Sequence, residues 1–211
     1  MAEYETEEEQ IAAFKKWWKE NGRSIITGLV LGVAIIGGWR SWESYQINHS
    51  EAASDIYEQV NKSIKNKKIE AIQETVLTLQ NDFDDTPYAV LATFAQAKQF
   101  VISKDLIAAE NALQWAVDNA QFDNTIYLAR IRLARVQSAQ DKLDVALETL
   151  QSNTFPESFS HLVDEALGDI YLQKGDEQKA REAYSRATLK NNSPTLRIKL
   201  DDLGGDEKEQ S

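Results

Sequence analysis

The chain has no cysteine. That absence removes disulfides, thiolate catalysis and zinc–thiolate sites together, and it suits a chain exported to an oxidising compartment without covalent staples. Histidine is nearly missing too: His49 and His161 are the only two, and they lie in different parts of the chain. Ser160 precedes His161, but adjacency in sequence carries no catalytic geometry. Proline occurs three times, at Pro87, Pro156 and Pro194, always between helical patterns, and the stretches between them lack strand-like alternation. A basic excess is absent as well. The 211 residues carry 23 Lys and Arg against 34 Asp and Glu, a net charge of −11, which disfavours a nucleic-acid partner.

No glycine-rich phosphate loop is present. The acidic cluster Asp82-x-Asp84-Asp85 lacks the glycine and late glutamate of a calcium loop and reads as a solvated helix end. Asp201-Asp202 with Asp206-Glu207 reads as a solvated tail. Without a nucleophile–base pair, no catalytic, metal-binding or cofactor-binding residue is assigned, and an enzyme is not expected.

What is there is one apolar run. The sixteen residues from Ser24 to Trp39 hold no charge, and they include Ile25, Ile26, Leu29, Val30, Leu31, Val33, Ile35 and Ile36. Each of these contributes about −0.3 to −0.6 kcal/mol near the centre of a membrane span, whereas four glycines and two hydroxyls weaken the total. At about 1.5 Å per residue the run covers roughly 24 Å of a hydrocarbon core of about 30 Å. Arg23 and Arg40 snorkel to extend it, and Trp17, Trp18, Trp39 and Trp42 suit the two interfaces. The alternative is a buried helix of a soluble protein, to which the shortness of the run would point.

Lys15, Lys16, Lys19 and Arg23 precede the run, whereas Arg40 is the only Lys or Arg after it until Lys62. The positive-inside rule then keeps the N-terminus in the cytoplasm and sends the remainder across. A cleaved signal peptide is the rival reading, but Gly37-Gly38-Trp39-Arg40 is a poor cleavage site, and an uncleaved, single-pass type II signal anchor is expected. Gly28-x-x-x-Gly32 has the spacing of a close helix–helix contact, so Gly28 and Gly32 are candidate span contacts; tolerated membrane glycines would look the same. Ahead of the span, residues 1–10 carry five glutamates and no base and read as disordered. Ile11, Phe14 and Trp18 then share a helical face flanked by lysines, as in a short helix lying on anionic membrane lipid. Asn21-Gly22 is expected to end that helix before the span begins.

Downstream, the clearest pattern runs from Asp164 to Lys190. Apolar residues recur at helical spacing, Gly175-Asp176 interrupts them, and the pattern resumes. Gly175 suits the left-handed end of one helix, and Asp176 with Glu177 suits the start of the next. Leu167-Gly168-x-x-Tyr171, Ala180, Tyr184 and Ala187 resemble the tetratricopeptide signature, although Asp164 stands where an early tryptophan belongs. Leu133-Ala134, Ala146 and Leu150 lie 34 residues before Leu167-Gly168, Ala180 and Tyr184. Further up, Ala97, Phe100, Ala109, Leu113 and Ala116 repeat the spacing, with Asp105 matching Asp176. A fourth hairpin over residues 51–81 would set Ile56, Tyr57 and Val60 against Ile69, Ile72, Val76 and Leu79. The fold class is therefore all-α: a single transmembrane helix followed by a tetratricopeptide-like stack of about four helical hairpins.

Such stacks present a concave groove for a peptide or a partner helix. The repeat register puts Leu91, Phe94, Lys98 and Val101 on it, then Leu128, Ile131 and Arg135, then Leu162, Glu165, Asp169 and Leu172. The same residues would equally serve to pack neighbouring helices.

The acidic start, Glu20-Asn-Gly-Arg-Ser, Gly28-Leu-Val-Leu-Gly-Val and Gly38-Trp-Arg-Ser-Trp carry a further resemblance. With them go Leu128-Ala-Arg-Ile-Arg-Leu-Ala-Arg-Val-Gln and Glu165-Ala-Leu-Gly-Asp-Ile-Tyr-Leu-Gln-Lys-Gly-Asp. Nearly end to end, the chain resembles the YfgM-type ancillary subunit of the bacterial SecYEG translocon. That resemblance implies an inner-membrane protein of a Gram-negative bacterium, working beside SecYEG with the membrane-anchored periplasmic chaperone PpiD on unfolded exported polypeptides. It also implies a link to envelope-stress signalling, and a regulator acting through the cytoplasmic N-terminal segment is the alternative function. The expected organisation is a cytoplasmic segment at 1–23, a signal anchor at 24–42, a periplasmic repeat domain at 43–203 and a disordered tail at 204–211.

Overall fold

The computed structural model describes residues 7–204, except 67 and 192 and the side chains of Glu7 and Glu8. The sequence predicts disorder over residues 1–10 and 204–211; residues 1–6 and 205–211 lie outside the described residues, whereas residues 7–10 are helical, which corrects that expectation for them. Among those described, nine α-helices and no strands occur: α1 (Glu7–Lys65), α2 (Ile69–Asp82), α3 (Pro87–Ile102), α4 (Leu106–Asn119), α5 (Asp123–Ala139), α6 (Leu143–Gln151), α7 (Glu157–Gln173), α8 (Glu177–Lys190) and α9 (Pro194–Asp201). The chain divides into two compact units, Met1–Glu51 and Ala52–Ser211.

The first unit is the N-terminal part of α1. The helix runs through Asn21-Gly22 without a break, which corrects both the expected helix end there and the expected separate short helix carrying Ile11, Phe14 and Trp18. Asn21 does not cap a terminus; its Nδ2 donates to the Trp17 carbonyl one turn back, at 3.0 Å. Gly22 is buried, and a Cβ there would come within 3.0 Å of the Trp18 indole, which covers the bare backbone. A glycine costs a helix only about 1 kcal/mol relative to alanine, too little to stop one that continues on both sides. Farther on, the apolar run stands open: Ile25 is 41% exposed and Ile35 71%. The helix holds an 18-residue window of mean hydropathy 1.5, long and apolar enough to cross a membrane.

The second unit is a row of hairpins. The end of α1 packs with α2 and α3 around Ala53, Val60, Ile72, Val76, Leu79, Ala89 and Ala92. Ile56 and Tyr57 join that core, but Ile69 does not: as the first residue of α2 it is 58% exposed. Next, α3, α4 and α5 share a core of Val90, Phe94, Ala97, Ala109, Leu113, Ala116, Ala129, Leu133 and Val136. Then α5, α6, α7 and α8 enclose Ile131, Ala134, Ala146, Leu150, Ala166, Leu167, Ile170 and Ala183. Alanine recurs in every core because helices close-pack only where one side of the contact is small.

The three downstream hairpins turn the same way. Asp105, Lys142 and Asp176 each donate a backbone N–H, at 2.9 Å, to the carbonyls of Phe100, Gln137 and Tyr171. In each turn the preceding residue is left-handed: Lys104 at φ 64°, Asp141 at 63° and Gly175 at 82°. These are Schellman turns, and glycine fills that place only once. Asp105 and Asp176 then cap the following helices by accepting from the Ala108 and Lys179 amides, at 3.0 and 3.2 Å.

A ninth helix, not anticipated in the sequence pattern, follows the last hairpin. Ser193 caps it, Pro194 occupies its first turn, and Leu196 is buried with Ala180, Tyr184 and Ala187. The contact between α7 and α8 is close: a Cβ at Gly168 would lie 2.4 Å from the Tyr184 ring.

Two glycine substitutions separate crowding from backbone strain. Gly168→Ala should lower stability by about 2 kcal/mol despite alanine's better helix propensity, because the buried Tyr184 ring has no room to retreat. Gly175→Ala meets open space and should cost only about 1 kcal/mol, the left-handed penalty alone. Denaturant midpoints read by circular dichroism on both variants check the order.

Candidate functional site

On α3 the residues at 91, 94, 98 and 101 follow a three-and-four spacing, which brings them to one face of the helix. On α5 the residues at 128, 132 and 135 do the same. Where these two faces meet, the second unit holds an open cavity of about 590 Å³. Leu91, Phe94, Lys98 and Val101 line it from α3, Leu106 and Leu113 from α4, and Leu128, Arg132, Arg135 and Val136 from α5, with Tyr57 of α1 at one side. Phe94, Leu113 and Val136 are nearly buried and form its floor; Leu91 and Val101 are 40% and 42% exposed at its rim.

The charged groups of this cavity are all of one sign. Lys98, Arg132 and Arg135 line it, and no carboxylate does. The Arg132 guanidinium carbon sits 4.2 Å from the centre of the Phe94 ring, a cation–π contact. Burial, and then the neighbouring charge of Arg135, pull its pKa below the ordinary arginine range. Arg135 reaches Glu165 at 3.8 Å.

The expected groove residues therefore part company. Leu91, Phe94, Lys98, Val101, Leu128 and Arg135 line the cavity. Ile131 does not: it is 1% exposed in the core between α5 and α7, because the cavity face of α5 steps by four from Leu128 and then by three. Arg132, missed in the sequence, occupies that place. Repeating the Leu91–Lys98 face at Leu128 and Arg135 maps Phe94 onto Ile131, so the repeat spacing itself carried no signal for Arg132.

Leu162, Glu165, Asp169 and Leu172 lie outside the cavity. Leu162 packs on the core around Ile131, and Leu172 is 42% exposed. Glu165 and Asp169 hold α9 instead, for Lys199 Nζ lies 2.9 Å from Glu165 Oε1 and 2.7 Å from Asp169 Oδ1. The Tyr184 hydroxyl donates to the same Asp169 oxygen at 2.7 Å, and Lys199 stands 5.5 Å from the Tyr184 ring centre. Burial, and then this bond, raise the Tyr184 pKa well above the usual phenol range. The two carboxylates also raise that of Lys199, against the opposing effect of burial.

A second polar set ties α4 to the next hairpin. Glu110 accepts from Lys142 at 2.6 Å and from Gln140 at 2.8 Å, and these contacts, Lys142 first, hold its carboxyl below the usual glutamate range. The span glycines Gly28 and Gly32 have open space where a Cβ would project. Ser160 donates to the Glu157 carbonyl at 2.6 Å. Among the described residues no group of three His, Asp or Glu is arranged to hold a metal.

A family model described as a tetratricopeptide repeat-like domain matches residues 15–205. The chain is 31% identical over 196 residues to a protein of Escherichia coli (strain K12) named "Ancillary SecYEG translocon subunit", covering 93% of this chain and 94% of that one. A protein of the same name from Aggregatibacter actinomycetemcomitans is 36% identical over 182 residues, covering 86% and 88%. Another from Neisseria gonorrhoeae is 25% identical over 209 residues, covering 96% and 100%.

The Tyr184–Asp169–Lys199 cluster makes the domain sensitive to alkali. Both Tyr184 and Lys199 have folded-state pKa values raised above their unfolded values. Their contribution is therefore complete below about pH 10 and is lost as pH rises beyond it. Thermal melts should show Tm falling above that pH. Tyr184→Phe should cost about 1 kcal/mol at pH 7 by removing one hydrogen bond, yet show a shallower alkaline fall than the parent chain.

Proposed function

The chain belongs to the tetratricopeptide repeat-like family of ancillary SecYEG translocon subunits, and from that membership we propose that it assists protein export at the inner membrane. The segment at residues 24–42, built around the apolar run, holds it in the lipid as a single-pass anchor. Lys15, Lys16, Lys19 and Arg23 keep the N-terminus in the cytoplasm, and residues 43–203 face the periplasm. Residues 1–23 form the cytoplasmic segment, and from Glu7 onward it continues the helix of the span without a break.

In this reading the repeat domain is the working part, and its work is to bind rather than to catalyse. The observation that carries it is the apolar cavity between α3 and α5, open at Leu91 and Val101. A groove lined mainly by aliphatic and aromatic side chains gains affinity from apolar area without reading a sequence closely. That suits transient contact with unfolded segments as they leave SecYEG, and with a membrane-anchored periplasmic chaperone such as PpiD. The anchor raises the local concentration of the groove at the exit, so weak binding suffices.

Two measurements test this function. A phosphatase fused at the C-terminus should be active only when exported, and the chain should need detergent to leave the membrane fraction; activity of a cytoplasmic reporter at that end overturns the topology. Photo-crosslinking residues at Leu91 and Val101 should capture exported chains or a periplasmic chaperone during active export. Crosslinks at neither position, with export running, overturn the groove as the working surface.

A further inference from the structure

The cavity's charge is opposite to that of the protein carrying it. The chain has a net charge of −11, yet Lys98, Arg132 and Arg135 all line one cavity to which no Asp or Glu contributes. Structural cations in an acidic domain usually meet carboxylates, as Lys142 and Lys199 do here. Lys98 and Arg132 make no ion pair among the described residues. Arg135 has only the long 3.8 Å approach to Glu165. Arg132 stands on the Phe94 ring, partly stripped of water and close enough to Arg135 to be disfavoured by it. An anion entering the cavity would relieve that repulsion while its apolar neighbours covered Phe94, Leu113 and Val136.

We propose that this cavity selects polypeptide segments in which carboxylates alternate with large apolar side chains, and disfavours segments of equal apolarity that carry lysine or arginine. The proposal rests on the polypeptide-binding reading above and adds its specificity. The arrangement favours a peptide over an anionic lipid. Along α3, Lys98 lies between Phe94 and Val101; along α5, Arg132 and Arg135 follow Leu128. The cations are therefore spread among apolar groups, as a chain of mixed side chains requires. A lipid headgroup would call for charge gathered at one mouth beside an uninterrupted apolar channel. Electrostatic complementarity of this kind sorts partners more than it raises affinity, and it weakens with salt.

The test uses the full chain in nanodiscs of phosphatidylcholine and three short fluorescent peptides with the same leucines, carrying glutamate, glutamine or lysine between them. Each is compared with a free and an amidated C-terminus, which separates side-chain carboxylates from a terminal one. By fluorescence anisotropy the glutamate peptide should bind about tenfold more tightly than the glutamine peptide, and the lysine peptide more weakly than either. The preference should shrink at about 0.5 M salt. It should also shrink in Lys98→Gln and Arg135→Gln, whose unfolding curves should match the parent because both side chains lie at the cavity edge. Equal binding of all three peptides overturns the proposal and leaves a nonselective groove. Binding of none overturns the polypeptide reading itself. Displacement of the glutamate peptide by phosphatidylglycerol in the nanodisc would identify a lipid site and overturn the proposal as well.

Discussion

Close approach of helices at small residues is the constraint on which the repeat unit depends. Tyr184 packs against Gly168 because that position has no side chain, and Ala180, Ala183 and Ala187 let α8 follow α7 along its length. The hairpins above use alanine for the same purpose, at Ala129, Ala134 and Ala146. Each contact brings backbones near enough for the larger neighbours to interlock, and dispersion and burial then act over the whole interface. Remove the small residue and the large ones no longer fit.

The cavity follows from the same rule. Between α3 and α5 the lining is mostly long or bulky, Leu91, Phe94, Lys98 and Val101 against Leu128, Arg132 and Arg135, with Ala95, Ala97 and Ala139 among them. The bulk of these side chains opposes closure of the two helices, and three like charges discourage collapse of the space between them. Where α5 meets α7, by contrast, Ala134 and Ala166 allow closure, and Ile131 is sealed in. One row of hairpins thus holds both a sealed core and an open groove, decided by side-chain size at equivalent places. The polar locks make the openness durable: Glu110 pins α4 to the residues after α5, and Glu165 with Asp169 pins α9.

Exposed apolar surface therefore has two separate origins in this chain. In the first unit it is a continuous band of aliphatic side chains around one helix, the arrangement that lipid favours and water penalises. In the second it is a small, concave, charged-rimmed patch, suited to a reversible partner. Both are legible as hydrophobic excess, but periodicity separates them. The span is apolar on all sides over sixteen residues, whereas the groove takes one position in three or four from helices that are otherwise buried.

Sequence alone determined the long apolar run, the all-helical class, the repeat spacing and the capping aspartates, because each follows from local periodicity or from one residue's preferred backbone. It misread what depends on neighbours distant in the chain. Asn21-Gly22 has the composition of a helix end, yet the Trp18 ring and the helix on both sides carry it through. Lys104 and Asp141 take left-handed turns that only a hairpin's closure imposes. The helix of Pro194–Asp201 exists because Leu196 has a buried place to go and Lys199 two carboxylates to meet. Which step of α5 faces the cavity, Ile131 or Arg132, was a difference of one residue in phase. Only the packing of α5 between α3 and α7 decided it, since a helix reveals its period from sequence but its rotation only from what it touches.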